Sequence, residues 1–169
     1  MSGRPDLRPI VVLGVGNTLL TDDGIGVRIV RDCAAECTAE EHAARDDAPE
    51  VTFHDGGTIG LALLPLIEDA SGVILVDAAD FGGRPGEVRR FEAEAMDAML
   101  RVHRSTPHEV AVSDLMLTAE LIGMRPERRA LVAVQVGNLQ LGLEPEPAVL
   151  AALPAARAEI AGLLERWRG

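Results

Sequence analysis

The chain has 169 residues, of which 47% are hydrophobic, and a formal net charge of −11 at pH 7. That length suits one compact domain with a sizeable core but is short for two, and the apolar content argues for a packed globule over disorder. The acidity excludes a nucleic-acid binder, since phosphate recognition needs clustered Lys and Arg, and no stretch approaches the roughly 18 apolar residues of a membrane span.

The chain opens on "MSGRPDLRP", a polar lead with no signal-peptide character. A cytoplasmic protein is expected, acting without a membrane and as a monomer, because no large surplus apolar face is evident. "IVVL" (Ile10 to Leu13) is a continuous apolar run, as for a strand covered on both faces. After "GVGNTLLTDDG" a helix is expected from Asp22 to Cys37, with Ile25, Ile29 and Val30 on one stripe. Cys33 and Cys37 share that stripe one turn apart. They read as half-buried thiols, with a metal pair or redox switch as the alternative. Residues 36–50 form a charged surface loop or frayed helix end.

Further strands are expected at "VTFH" (Val51 to His54) and "VILV" (Val73 to Val76), separated by a short helix from Thr58 to Ile67 that Pro65 bends or ends. "EVRRF" (Glu87 to Phe91) follows the turn signal "GGRPG" and mixes charge with apolar residues, the pattern of an antiparallel edge strand. An acidic helix comes next. From His108 to Ile122 the residues Val112, Leu115, Met116, Ala119 and Ile122 line one helical face, and "LVAVQV" (Leu131 to Val136) is the fifth strand. The last helix, Pro147 to Trp167, repeats Leu150, Leu153, Ile160, Leu163, Leu164 and Trp167 at helical spacing. Alternating strands and helices imply a three-layer α/β/α domain over residues 1–169.

In such sheets functional groups gather where strands end. Gly14, Gly16, Asn17, Asp22 and Asp23 follow the first strand, Asp55, Gly56, Gly57 and Thr58 the second, and Asp77 and Asp80 the third; "QVGN" follows the fifth. Thr21 or Asp22 would serve as a helix N-cap, but "TDDG" holds more acid than one cap needs. Asp55 would bond its own turn. Asp77 ends a buried run, where an ionised carboxylate is costly unless paired or bound to a cation. "TPHE" fits a capping box, with Thr106 as N-cap and Pro107 opening the helix. His108 then sits in the first turn, where the helix dipole favours a neutral ring able to bind metal or act as a base. His42 and His103 read as surface or packing residues, and His54, beside Asp55, is a mild competitor.

"GVGNTL" lacks the third glycine of a dinucleotide fingerprint, and its acids would repel a pyrophosphate. No GxSxG elbow is present, and neither cysteine has the setting of a catalytic thiolate. Asp23, Asp77 and His108 remain, a donor set that suits nickel or zinc with positions left open.

Four segments, "LGVGNTLLTDDGIGVRIV", "DGGTIGLALL", "ILVDAADFGGRPGEVR" and "STPHEVAVSDLM", together resemble the hydrogenase maturation endopeptidases over roughly residues 10–150. The resemblance implies a phosphorylase/hydrolase-like α/β/α sandwich with a five-stranded, mixed, twisted sheet whose fourth strand is antiparallel. It also implies removal of the C-terminal extension of a nickel–iron hydrogenase large-subunit precursor after nickel insertion. By match, Asp23, Asp77 and His108 would be both the metal-facing and the catalytic residues. The nickel would arrive with the substrate, or be replaced by another divalent ion. Asp55, Gly56, Gly57, Thr58 and Asn17 would contact the substrate, and "VGNLQLGLEPEP" would bear on which hydrogenase is served. Some relatives have glutamate where this chain has Asp23.

Overall fold

Five apolar segments form one sheet: β1 (Ile10–Val15), β2 (Val51–Gly57), β3 (Gly72–Ala79), β4 (Val88–Glu92) and β5 (Arg128–Gln135). The computed structural model describes residues 6–36, 48–102 and 107–169, with the side chains of residues 107 and 108 outside the description. The strand order is β2-β1-β3-β5-β4. All neighbours are parallel except β4, which runs antiparallel to β5 at the edge as its mixed composition led us to expect. The helices are α1 (Ile25–Glu36), α2 (Leu64–Glu68) after a 3₁₀ turn at Gly60–Leu63, α3 (Glu94–Val102), α4 (Pro107–Leu121), α5 (Pro147–Leu150) and α6 (Leu153–Arg168).

Strand side chains alternate between two cores, one on each face of the sheet. Ile10 and Val12 of β1 join Ile74 and Val76 of β3 in a layer closed by Ile25 and Ile29 of α1 and by Ala156, Ile160 and Leu163 of α6. Val11, Leu13 and Val15 point the other way, into a layer closed by Ile67 of α2, Met96 of α3, and Val112, Leu115 and Met116 of α4. Cys33 is half-buried against the first layer, as its stripe suggested; Cys37, His42 and His103 lie outside the described residues, as does most of the charged segment 36–50.

Several boundaries differ from expectation for local reasons. Pro65 opens α2 in place of ending a helix, since its missing N–H costs nothing in a first turn. Ile122 falls past the end of α4 and is 48% exposed. The C-terminal helix is two helices, because Pro154 can neither donate to the carbonyl four residues back nor fit against it. By length and composition Pro147–Arg168 would pass for a membrane span, which the sequence reading did not anticipate. Its two faces settle its role. Val149, Ala152, Ala156, Ile160, Leu163 and Trp167 are buried, while Arg157 pairs with Asp32 and Glu36, and Glu159 with Arg90. That sidedness belongs to a helix packed on a core.

At the far end of the sheet Arg129 of β5 is held by Asp97 of α3, Nη2 to Oδ2 at 2.6 Å and Nε to Oδ1 at 2.9 Å, with side chains 6% and 12% exposed. The guanidinium keeps the Asp97 carboxyl below the ordinary carboxylate range. The unfolded chain therefore takes up this proton more readily. The pair's contribution is complete above about pH 4, the unfolded value, and is lost as pH falls through the lowered folded value. Between pH 6 and pH 3 the urea midpoint of the wild type should fall further than that of an Asp97→Asn/Arg129→Met double variant, which has no such proton to gain.

Candidate active site

The chain leaves β1 for α1 on one face of the sheet, and beyond β3 and the edge strand β4 it continues to α3 and α4 on the other. Strands whose connections diverge in this way open a crevice at their carboxyl ends. β1 pairs with β3 as far as Gly14 and Val76, and the next residue of β3 is Asp77. Asp77 is 4% exposed and stands where β1 peels away. The strand does not stop there, as its apolar run had suggested, but continues to Ala79 against β5.

The loop after β1 folds back onto the same point. Gly16 has φ +126°, and a Cβ there would lie 1.9 Å from the Asp23 carbonyl oxygen and 3.7 Å from Asp77 Oδ1. Only glycine lets the Asp23 backbone come this close. The N–H of Asn17 donates to Asp23 Oδ2 at 2.8 Å, and Asp23 is 1% exposed. Gly16 thus lies against the Asp23 backbone and within a few ångströms of the Asp77 carboxylate.

Asp22 does something else. The first helix begins at Ile25, not at Asp22, and neither Thr21 nor Asp22 spends its side chain on the helix. The fully buried Asp22 carboxylate accepts N–H groups from Gly137 (2.8 Å), Asn138 (2.7 Å) and Glu146 (2.8 Å). Thr21 Oγ1 donates to the Asn138 carbonyl at 2.7 Å. The acid pair is therefore divided: the Asp22 carboxylate fastens the loop after β5, and that of Asp23 takes the Asn17 N–H after β1.

Of the residues expected to meet substrate, Asp55 is committed within the protein. Its Oδ1 accepts the Gly57 N–H at 3.0 Å, the turn role its sequence allowed, and its Oδ2 takes the Arg31 guanidinium of α1, at 3.1 Å from Nε. β2 runs on through this turn. Gly14 pairs with Asp55 and Val15 with Gly57, leaving Gly56 as a bulge, and the Gly57 carbonyl accepts the Gly16 N–H at 2.9 Å. The two glycine segments thus close on each other at the rim. Thr58 is exposed beside them, and Asn17 Oδ1 accepts the Leu19 N–H at 3.0 Å. His54 is half-buried on β2 opposite Leu13.

His108 is the second residue of α4, the first-turn position expected from "TPHE", and Pro107 opens the helix. Its imidazole and the Thr106 cap lie outside the described residues. Ala111, one turn on, packs against Gly60, where a Cβ would lie 2.7 Å from its own. Among the described residues no three His, Cys, Asp or Glu side chains are grouped as a metal site. Gln135, which "QVGN" placed at a strand end without a role, is 4% exposed and holds the loop after β3. Its Oε1 accepts the N–H groups of Phe81 and Gly83 at 2.9 and 3.0 Å, and its Nε2 donates to Asp80 Oδ1 at 3.0 Å. A polar residue closing an apolar strand is the same signal that marked Asp77.

The hydrogenase maturation protease family model matches residues 27–163 of the chain. The hydrogenase expression/formation protein HupD of Rhodobacter capsulatus is 36% identical over 166 residues, 96% of this chain and 75% of that protein. The hydrogenase 2 maturation protease of Escherichia coli is 33% identical over 157 residues, 88% of this chain and 90% of its own. Among solved structures, the hydrogenase maturating endopeptidase HybD from E. coli superposes with a TM-score of 0.83 at 29% identity, covering 94% of this chain and 93% of that one.

Replacing Asp22 with alanine removes the acceptor of three N–H groups from the interior and should cost about 2–4 kcal/mol of stability, read from urea unfolding. The amides of Gly137, Asn138 and Glu146 should exchange with solvent faster than those of β1 in the same sample.

Proposed function

The chain belongs to the hydrogenase maturation protease family, and on that premise we propose that it removes the C-terminal extension of a nickel–iron hydrogenase large-subunit precursor once nickel is in place. It is a maturation endopeptidase. The observation that supports the finer reading is that two buried acids meet around Gly16: the Asp23 carboxylate takes the Asn17 N–H next to it, and Asp77 Oδ1 lies 3.7 Å from where a Cβ on Gly16 would be.

In this reading the nickel is part of the substrate. Asp23, Asp77 and His108 receive it, so that only a metallated precursor is held with its tail in the crevice. The ion supplies Lewis acidity for a scissile carbonyl brought beside it. Burial of the two carboxylates strengthens their pull on a cation, because little solvent screens them. His108 stands on the first turn of α4. Hydrolysis also needs a base for the attacking water, and in this reading Asp23 or Asp77 takes that proton. The Asn17 N–H orients Asp23 from behind.

The decisive experiment incubates the protein with nickel-loaded and nickel-free precursor and reads the C-terminus by mass spectrometry. Only the loaded form should be shortened. Equal cleavage of both would keep the protease and remove the nickel requirement. Failure to cleave a confirmed cognate precursor would leave a nickel or precursor chaperone on the same scaffold. Asp23→Asn and Asp77→Asn should each lower the cleavage rate by about 10²-fold or more while leaving thermal unfolding near wild type.

A further inference from the structure

Four leucines stand in solvent beside the carboxylate loop: Leu19 is 59% exposed, Leu139 40%, Leu141 84% and Leu143 74%. They lie on two segments joined by a single antiparallel bridge between Leu20 and Leu141. The Gly142 N–H donates to the Leu19 carbonyl at 3.0 Å and the Thr21 N–H to the Gln140 carbonyl at 2.9 Å. These bonds flank the bridged pair, so the N–H and C=O of Leu141 point away from Leu20, along the open side of the ribbon. The opposite side is fastened: Asp22 holds the Gly137 and Asn138 amides, and Thr21 Oγ1 the Asn138 carbonyl. A Cβ on Gly142 would lie 2.8 Å from the Thr21 methyl. The ribbon is thus continuous with the residue next to Asp23.

We propose that this ribbon is the dock for the precursor's own C-terminal stretch, an extended apolar segment flanking the scissile bond. Its main chain lies along Leu141, the mode by which an open strand edge takes a peptide, and its apolar side chains cover Leu139, Leu141 and Leu143. The inference rests on the endopeptidase reading. The substrate is the occupant because the ribbon is locked to the Asp22–Asp23 corner, so a chain seated on it is delivered in register to the crevice. Large apolar side chains gathered in solvent on so acidic a protein mark an interaction surface.

The test compares the full-length wild type, a Leu141→Asp/Leu143→Asp double variant, and Leu121→Asp, which alters an equally exposed leucine on α4. With nickel-loaded precursor the double variant should raise KM about tenfold or more with kcat within about twofold, and Leu121→Asp should match wild type. An unchanged KM in a double variant with the wild-type thermal midpoint overturns the proposal, and so does an equal rise in the control. Should the double variant not fold, Leu141→Ser carries the same comparison. A synthetic peptide spanning the precursor's extension should compete with precursor for the wild type; failure to compete overturns the extended occupant. Calorimetric binding of precursor, which needs no turnover, separates the two readings. Weaker binding by the double variant supports the dock even where no cleavage occurs, equal binding overturns it, and no binding by wild type overturns both.

Discussion

One fully buried carboxylate decides how the catalytic end of this molecule is assembled. Asp22 carries its charge where water cannot reach it, and three backbone N–H groups from the loops after β5 replace that water. Charge-assisted bonds of this kind are directional. They set the height of the loop after β1 above the sheet and the path of residues 137–146 across it. With Asp22 occupied there, the chain turns so that Asp23 faces the opposite way, towards Asn17 and Gly16. The doubled acid of "TDDG" therefore serves two places at once, one carboxylate holding the loop after β5 and the other the turn after β1.

The sheet supplies the other half of the arrangement. Because α1 lies on one face and α3 and α4 on the other, β1 and β3 part at their carboxyl ends, and Asp77 occupies the gap. Gly26 shows how tight the junction is: a Cβ there would lie 2.1 Å from the Val76 carbonyl. The start of α1 is thus seated directly on the strand ends, and little slack remains for the carboxylates to drift apart. On the reading proposed above, in which selectivity depends on an ion carried by the substrate, such stiffness matters. A donor set that could spread to suit any cation would discriminate poorly between charged and empty precursors.

Much of this was legible beforehand, and the exceptions share a cause. The continuous apolar runs marked β1, β3 and β5 because strands covered on both faces have no polar side to show. Arg89 and Arg90 betrayed β4 as an edge, and Pro107 placed the start of α4. The acids at the strand ends could be named because buried carboxylates are costly. What stayed hidden were bonds between distant residues. Nothing near Asp22 announces that its partners lie past residue 136, so a helix cap was the economical reading. Asp55 likewise looks available until Arg31 of α1 is found across from it. Local rules describe a residue's own turn. They do not say which loop the fold will lay over it.

At the opposite pole, Trp167 of α6 covers the first residue of β3: a Cβ on Gly72 would lie 2.9 Å from its ring, and Arg128 Nη1 donates to its carbonyl at 2.7 Å. It is the single tryptophan of the chain and only 9% exposed. The protein consequently carries an intrinsic fluorophore that senses whether the last helix is seated on the sheet and is blind to events at the crevice. Emission and proteolytic turnover can then be followed in one cuvette as independent signals, one for integrity and one for work.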